Sequence, residues 1–170
     1  MKVSMQKYSI VDNFLEKNVF DTVKHNITYG GIPWKYSSVI TGSGDSDDSD
    51  HYFASILYDH MTNLSTEFLS TVLPIIAKIQ PTILIRVKAN LYPNSGKQIH
   101  HDSHRDYPFS HQGAIFYVNE NNGPTILDGV TEVYPKENRI LFFDPSELHH
   151  SVSCTDKNIR ININFNYLKF

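Results

Sequence analysis

The spacing of apolar residues changes along the chain, from a helical period to a period of two. In the first half, apolar residues recur every three or four positions over about 12–26 and again over 61–79. Asp12 is a candidate N-cap for the first helix, and Pro74 is a candidate kink in the second. From Thr82 onward, the period changes to two. The apolar positions are Ile83, Ile85, Val87, Ala89 and Leu91. The pattern predicts two helices followed by a strand that buries one face.

Further short strands follow this first one. Runs of β-forming residues occupy 112–119, 124–127, 131–134, 138–143 and 158–167, with turn-forming residues between them. Since no βα alternation occurs, this order favours a mainly β protein with flanking helices (α+β), built as an antiparallel barrel or jelly roll behind an N-terminal helical layer. We find no repeat and no linker, so we expect one domain over 1–170. In it, 1–80 would supply helical support and an acidic loop, and 82–167 the jelly-roll core.

Composition narrows the functional classes. The chain has 170 residues, 40% of them hydrophobic, and a formal net charge of −3, which argues against a nucleic-acid-binding or membrane-binding surface. Cys154 is the only cysteine, so neither an internal disulfide nor a cysteine-based zinc site can form. The start of the chain lacks a signal-peptide core and no run approaches the ~20 apolar residues of a membrane span, so we expect a soluble, cytoplasmic protein. The acidic run at 42–50 is expected to be a surface loop and is a candidate lid.

Histidines concentrate in two short segments that also carry carboxylates. The first, QIHHDSHRD at 98–106, contains two H-x-D patterns, one at His100 and Asp102 and one at His104 and Asp106. Residues two apart on an extended segment project to the same face. The second segment, FDPSELHH at 142–150, would add one further histidine. Two imidazoles and one carboxylate on a metal form the ligand set of non-haem Fe(II) oxygenases. The alternative is a polar loop whose histidines bind nothing.

The last predicted strand has an unusual polar face. Its apolar face carries isoleucines and a phenylalanine, whereas the other face carries Arg160, Asn162, Asn164 and Asn166. Such a face is more easily explained as the lining of a wet pocket than as a solvent-exposed surface. A buried arginine is costly unless it is paired, so it predicts a carboxylate or phosphate partner. The alternative is an edge-strand arginine in a surface salt bridge.

Four ordered segments together resemble a known family. They are YPNSGKQIHHD (92–102), AIFYVNENNGPT (114–125), NRILFFDPSELHH (138–150) and SCTDKNIRININFNY (153–167). The chain is similar in them to the 2-oxoglutarate/Fe(II)-dependent oxygenases, and within these to the compact prolyl-4-hydroxylase-like group that includes small phage-encoded members. The resemblance covers 82–167 and implies a double-stranded β-helix. If the gene is carried by a phage, the expected location is the host cytoplasm.

The resemblance also implies roles for particular residues. The metal ligands that match best are His100, Asp102 and His149. Arg160 matches the residue that pairs with the distal carboxylate of 2-oxoglutarate, and Tyr92 and Tyr117 match tyrosines that reach this co-substrate. Two alternatives stay open, because His104 and Asp106 could replace His100 and Asp102, and His150 could replace His149. His149 and His150 cannot both be ligands in a regular strand, since neighbouring side chains point to opposite faces.

The implied activity is that of a dioxygenase that uses Fe(II), 2-oxoglutarate and O₂, with ascorbate as an additional reductant. It would hydroxylate a prime substrate and release succinate and CO₂. The subfamily suggests a peptidyl proline in a peptide or protein as that substrate. Candidate substrate-binding residues are Arg86, Lys88, Asn90 and Arg105. The alternatives are a cupin-like metal enzyme that does not use 2-oxoglutarate and a non-catalytic jelly-roll binding module. The sequence leaves the oligomeric state open.

Overall fold

The computed structural model describes residues 8–37 and 51–170. The acidic run at 42–50, predicted to be a surface loop, lies outside the described residues. Within these two ranges, no helix has both the length and the apolar character needed to cross a membrane.

The described chain contains eleven strands, two α-helices and one 3-10 helix. In chain order they are β1 (Tyr8–Val11), α1 (Lys17–Tyr29), β2 (Lys35–Ser37), β3 (Tyr52–Asp59), β4 (Leu64–Ser65), the 3-10 helix (Glu67–Val72), α2 (Leu73–Ile79), β5 (Ile83–Pro93), β6 (Gln112–Tyr117), β7 (Thr125–Leu127), β8 (Thr131–Val133), β9 (Arg139–Phe143), β10 (His149–Ser151) and β11 (Ile159–Leu168). Every strand that the sequence pattern predicts is present.

The strands form two antiparallel sheets. The main sheet has the order β1-β9-β6-β11-β5-β3-β2, and β4 extends it by pairing with β3. The smaller sheet has the order β10-β7-β8. Sequence neighbours are seldom sheet neighbours, as expected for a jelly roll. The expectation of a mainly β protein with flanking helices is confirmed.

One face of the main sheet packs against the helices and forms the larger core. The alternating apolar residues of β5 and β11 are buried there with the inner faces of α1 and α2. This cluster includes Val23, Ile27, Ile75, Val87, Ile163 and Phe165. The predicted alternation therefore corresponds to the two faces of the sheet. The apolar positions lie on the face that packs against the helices, and burial of this face supplies the hydrophobic stabilisation.

The opposite face of the main sheet is covered only in part by apolar side chains. A smaller cluster joins β6 and β9 to the smaller sheet, and it consists of Ile115, Tyr117, Leu127, Val133, Leu141 and Phe143. Beyond it, on β5 and β11, the same face is polar. The smaller sheet therefore closes over one end of this face.

The N-terminal region differs from its sequence pattern. The prediction that Asp12 caps the first helix is wrong, since α1 begins at Lys17 and its N-cap position is Glu16. Asp12 instead accepts hydrogen bonds from Arg139, at 2.6 Å from Nε and 3.0 Å from Nη2. The residues before it form β1, which pairs with β9 at the edge of the main sheet. The Asp12 carboxylate therefore pairs with the guanidinium of Arg139 on the neighbouring strand instead of capping the helix.

The predicted helix over 61–79 is divided into shorter elements. It contains β4, the 3-10 helix and α2, and Pro74 lies in the first turn of α2 rather than at a kink. Proline is well tolerated there because the first helical N–H groups have no intrahelical acceptor. Five strands, β1, β2, β3, β4 and β10, were not predicted. In β3 a register shift between Ile56 and Tyr58 interrupts the pairing with β5, so its apolar residues do not alternate strictly. The first 80 residues therefore supply strands as well as helices.

Asn138 joins the start of the chain to the main sheet. Its buried side chain accepts a hydrogen bond from the backbone N–H of Leu15 and donates one to the carbonyl of Leu15, both at 2.8 Å. Its backbone carbonyl also accepts from Phe14 N–H at 2.9 Å. The residue has a φ of 59°, which asparagine tolerates better than most residues. One amide side chain thus satisfies both backbone groups of a buried residue.

We expect Asn138→Ala to lower the free energy of unfolding by about 2–4 kcal/mol, because it leaves a buried N–H and a buried carbonyl without partners. Urea denaturation followed by circular dichroism measures the change. Asn63→Ala is the matched control, since Asn63 also has a positive φ (52°) but is exposed. The control is expected to cost about 1 kcal/mol or less. Equal losses in the two variants would contradict the role assigned to the Asn138 side chain.

Candidate metal centre and its cavity

The polar faces of β5 and β11 lie side by side and form the floor of a cavity. Their register pairs Tyr92 with Arg160, Asn90 with Asn162, Lys88 with Asn164 and Arg86 with Asn166. The cavity has a volume of about 50 Å³, and the smaller sheet contributes Thr125, His149 and Ser151 to its walls. The polar face of the last strand therefore lines a cavity, as its pattern predicts.

Three potential metal ligands meet at one end of this cavity. One ligand atom each from His104, Asp106 and His149 lies within 4.8 Å of the other two. Over residues 8–37 and 51–170, this is the only group of three or more histidine, cysteine, aspartate or glutamate side chains that meets such a criterion.

Backbone hydrogen bonds bring these residues together. His104 and His149 form an antiparallel bridge in which each N–H donates to the other carbonyl at 3.0 Å. Residues paired in this way project to the same face, and the two imidazole rings are 4.6 Å apart. Two residues further on, Asp106 N–H donates to the carbonyl of Pro145 at 2.9 Å. The segments 104–106 and 145–149 are therefore held in fixed register.

Each imidazole is oriented by a carbonyl two residues before it. Nδ1 of His149 lies 3.0 Å from the carbonyl of Glu147, and Nδ1 of His104 lies 3.2 Å from that of Asp102. A carbonyl only accepts, so Nδ1 carries a proton in both rings, which leaves Nε2 as the atom that can bind a metal. Burial lowers the pKa of His149, with a smaller opposing effect from Asp106. The ring is thus neutral at neutral pH, which is the form that binds metal.

The carboxylate of Asp106 is held by two side chains from the cavity floor. Arg86 Nη2 lies 3.2 Å from Oδ1, and Asn166 Nδ2 donates to Oδ2 at 2.7 Å. Burial alone would raise the pKa of Asp106, but the charges of Arg86 and His149 and the hydrogen bond from Asn166 lower it overall. The same Asn166 amide lies 3.2 Å from Nε2 of His111, whose Nδ1 bonds to the carbonyl of Phe109. Asp106 is therefore an oriented anion.

The donor set fits a first-row divalent metal. Nε2 of His149 is buried and has no hydrogen-bond partner within the described chain, an arrangement that is costly unless something else binds the lone pair. Two neutral imidazoles and a carboxylate also form the set found in non-haem Fe(II) oxygenases, with positions left for other ligands. His104, Asp106 and His149 could therefore hold an iron ion.

The structure does not bring His100 and Asp102 to His149, although sequence reasoning favoured that pair. His100 is exposed and forms a bridge with Val152, the residue three positions after His149. In a regular ladder that starts from this bridge, Ser103 would oppose His149. His104 takes that place instead, so the first segment contains one extra residue, as in a β-bulge. This extra residue reverses the alternation of faces and places the second H-x-D pattern at the cavity.

His100 contacts the other histidine of the pair at 149–150. Its Nδ1 lies 3.4 Å from Nε2 of His150, and Nδ1 of His150 lies 3.0 Å from the hydroxyl of Ser103. His150 lines the cavity but belongs to no group that could hold a metal among the described residues. His149, as the sequence favoured, is the histidine of this pair in the ligand group.

Arg160 lies fully buried beside the other end of the cavity floor. Its Nε donates to the carbonyl of Gly123 at 3.0 Å, and its Nη2 donates to Thr125 Oγ1 at 3.1 Å. Nη1 is buried and has no hydrogen-bond partner in the described residues. The guanidinium thus meets neutral oxygens and keeps one donor unused. The alternative of an exposed edge-strand arginine is wrong, because β11 lies between β5 and β6.

The two tyrosines take different positions around Arg160. The centre of the Tyr92 ring lies 5.2 Å from the guanidinium carbon, and this ring stacks with both Tyr52 and His101. Tyr117 is fully buried and donates its hydroxyl to Thr125 Oγ1 at 2.8 Å. Tyr92 lines the cavity, whereas Tyr117 reaches Arg160 through the hydroxyl of Thr125. Sequence reasoning missed Thr125, although it follows directly on the Asn-Gly-Pro turn that carried part of the resemblance.

Three of the four proposed substrate-binding residues line the cavity. These are Arg86, Lys88 and Asn90. Arg105 is exposed and does not line it, because it alternates with His104 and Asp106 and so points away from them. Tyr52, on the unpredicted strand β3, also lines the cavity and was missed.

Comparisons with known proteins identify the fold. No protein-family model matches the sequence, and no curated protein matches it. Solved structures do match. A viral collagen prolyl hydroxylase from Paramecium bursaria Chlorella virus-1, in a 2-oxoglutarate complex, is 15% identical over 95% of each chain, with a TM-score of 0.57.

Two other structures differ in what they bind. A prolyl hydroxylase from Trichoplax adhaerens, in complex with a peptide fragment of the hypoxia inducible factor oxygen degradation domain, is 18% identical over 95% of this chain and 83% of that chain, with a TM-score of 0.59. The epimerase SnoN, in complex with Fe³⁺, alpha-ketoglutarate and nogalamycin RO, is 15% identical over 96% and 79%, with a TM-score of 0.60. The chain therefore has the double-stranded β-helix fold of the 2-oxoglutarate/Fe(II) oxygenases, as its resemblance to the compact prolyl-4-hydroxylase-like group predicts.

The two H-x-D patterns make opposite predictions for metal binding. We expect His104→Ala, Asp106→Ala and His149→Ala each to weaken Fe(II) or Mn(II) binding by about 100-fold or more, since loss of a ligand exceeds the effect of an outer contact. Anaerobic calorimetric titration of metal-free protein measures this. His100→Ala and Asp102→Ala are the matched controls and should leave the affinity nearly unchanged. If His100→Ala and Asp102→Ala lose metal binding while the other three variants keep it, the assignment of His104, Asp106 and His149 as ligands is wrong.

Gly113 provides a test of how the ligand segments are positioned. A Cβ added at this residue would lie 2.7 Å from Cγ of Pro145, the residue whose carbonyl accepts from Asp106 N–H. We expect Gly113→Ala to displace Pro145 and to weaken metal binding by about tenfold. Gly30→Ala is an equally crowded control, with Asn26 backbone at 2.5 Å, but it lies far from the cavity. It should lower stability and leave metal affinity unchanged, and a loss of affinity in it would contradict the local explanation.

Proposed function

We propose that the chain is a single-domain dioxygenase that uses Fe(II), 2-oxoglutarate and O₂ to hydroxylate a peptidyl proline. The observation that carries the proposal is the position of Arg160. Its guanidinium is fully buried, is paired with neutral oxygens and keeps an Nη1 donor that no described residue uses. Its contacts Tyr92 and Thr125 line the cavity that also holds the His104, Asp106 and His149 group.

A buried guanidinium with an unused donor favours an anionic ligand. Burying a charge without a counter-ion is costly, and a carboxylate is the partner that an arginine fork fits best. A metal enzyme that does not use 2-oxoglutarate has no need of such a group beside its metal site. A dicarboxylate that binds the metal through one end and Arg160 through the other explains both features.

Each residue of this site then has a defined role. His104, Asp106 and His149 hold the metal, and Arg86 and Asn166 orient the Asp106 carboxylate. Arg160 and Thr125 bind the distal carboxylate of 2-oxoglutarate, while the ring of Tyr92 packs against the guanidinium. Iron with 2-oxoglutarate, when bound, supplies the oxidative decarboxylation that drives hydroxylation. The protein contributes orientation and a shielded cavity.

A peptidyl proline is the substrate class that the comparisons favour. Two of the similar structures described above are prolyl hydroxylases, one of them in complex with a peptide. The SnoN epimerase shows that the same fold also acts on a quite different molecule. The choice of proline therefore rests on fold-level analogy.

The central test is the binding of 2-oxoglutarate. Metal-free protein is titrated anaerobically with Fe(II) and then with 2-oxoglutarate, and the visible metal-to-ligand charge-transfer band is recorded. We expect the band in the wild type, no band in His149→Ala, and at least a tenfold higher 2-oxoglutarate requirement in Arg160→Met. Arg160→Lys should restore part of the affinity. Arg105→Met removes an exposed cation and serves as the control.

Three outcomes separate the alternatives. Bound iron without a band in the wild type would overturn 2-oxoglutarate use and favour a cupin-like metal enzyme. Absence of metal binding would favour a non-catalytic jelly-roll module. A band accompanied by no mass gain of one oxygen in any proline-containing peptide of a library would overturn the prolyl substrate alone.

A further inference from the structure

A second basic side chain projects into the cavity and is not used by the site described above. Lys88 lies on β5 between Arg86 and Asn90, two positions from the residue that holds Asp106 and four positions from Tyr92. Its strand neighbour on β11 is Asn164. Lys88 therefore occupies the middle of the cavity floor, between the metal end and the Arg160 end.

Within the described residues, the hydrogen bond and the ring contact of the Lys88 ammonium are both with the neutral side chain of Tyr52. Its Nζ donates to the hydroxyl of Tyr52 at 2.9 Å and lies 4.9 Å from the centre of the same ring. In the ranges 8–37 and 51–170, it forms no ion pair with a carboxylate. This distinguishes it from Arg86, which is only two positions away and is paired with Asp106.

The strand neighbour of this lysine on the cavity floor also has an unsatisfied atom. The side-chain oxygen of Asn164 is buried and has no hydrogen-bond partner among the described residues. In the next cross-strand pair of the floor, the side chain of Asn90 donates a hydrogen bond to that of Asn162 at 3.0 Å. A cation without a carboxylate partner and an amide oxygen without a donor thus lie side by side in the described part of the floor. The cation can bind an anion, whereas the amide oxygen can accept only from a donor such as a peptide N–H.

We propose that Lys88, supported by the hydroxyl of Tyr52, binds a carboxylate of the prime substrate. This inference rests on the proposed function, because it takes the metal and 2-oxoglutarate sites as given. Arg160 neutralises the distal carboxylate of 2-oxoglutarate and Arg86 neutralises Asp106, so Lys88 is left for a third anion. The hydroxylated proline then carries either its own free carboxylate or an acidic side chain next to it.

A single ammonium matches a carboxylate better than a phosphate. One negative charge balances the Lys88 ammonium, and the side chains around it, Tyr52 and the asparagines, are neutral. A phosphate dianion would need further cations or a cluster of backbone N–H groups, which phosphate sites usually provide. The subsite therefore selects for an acid of charge −1.

Two matched probe pairs test the proposal on protein loaded with Mn(II) and 2-oxoglutarate, which binds but does not turn over. The first pair is N-acetyl-L-proline and its neutral carboxamide. The second is acetyl-Pro-Glu-NH₂ and acetyl-Pro-Gln-NH₂. Calorimetry is expected to give at least a tenfold preference for the acid within one pair, and the preferred pair identifies the source of the carboxylate. Lys88→Met should abolish this preference, and Lys88→Arg should keep most of it. Lys35→Met, which removes an exposed lysine from β2, the strand beyond β3, is the control.

The outcomes distinguish this proposal from the function on which it rests. If 2-oxoglutarate fails to bind the wild type, the proposed function itself fails. If 2-oxoglutarate binds but neither pair shows a preference for the acid, the Lys88 subsite is wrong and the proposed function stands. If Lys88→Met loses 2-oxoglutarate binding instead, Lys88 holds the co-substrate rather than the prime substrate. Inorganic phosphate that competes more strongly than either acid would also overturn the choice of a carboxylate.

Discussion

The paired backbone hydrogen bonds between His104 and His149 are the constraint on which the site depends. They join two segments that are 45 positions apart in the chain, and they place both imidazoles on one face of a short ladder. Each ring is then turned by the carbonyl two residues before it, so that Nε2 is the atom of both rings that can bind a metal. Asp106 follows in the same register through Pro145. The ligand geometry is therefore a property of the main chain, and a metal ion finds it already formed.

Sequence reasoning reached the sheet more securely than the ligands. Residues 85–91 of β5 and 159–166 of β11 alternate between apolar and polar, and a period of two directly encodes a dry face and a polar face. The residue pattern alone could not decide whether His100 with Asp102 or His104 with Asp106 lies at the cavity. Both are H-x-D, and only the extra residue between the His100 bridge and the His104 bridge decides which one faces the cavity. Likewise, β3 escaped prediction because a register shift interrupts its alternation, and Pro74 marks a helix start that its spacing alone suggested was a kink.

The division of labour between the two faces of the main sheet explains why so polar a cavity is tolerated. The face toward α1 and α2 is apolar and holds the larger core, so the hydrophobic stabilisation does not depend on the other face. On that other face, Asn90 bonds to Asn162, and Arg86 donates from Nε to Asn166 at 3.3 Å. These cross-strand pairs satisfy most of the polar atoms that burial would otherwise penalise. The strand spacing that packs the core thus also sets the spacing of the polar groups along the cavity.

Thr125 has a consequence that follows from the valence of a hydroxyl. Its oxygen accepts from Tyr117 at 2.8 Å and from Arg160 Nη2 at 3.1 Å, and an alcohol oxygen has only two lone pairs. Burial raises the pKa of Tyr117, against smaller opposing effects from Arg160 and Thr125, so the phenol keeps the proton that it donates. With both lone pairs engaged, Thr125 can act toward a ligand only as a donor. This corner of the cavity therefore favours a ligand atom that accepts a hydrogen bond and disfavours a group that can only donate, such as an ammonium.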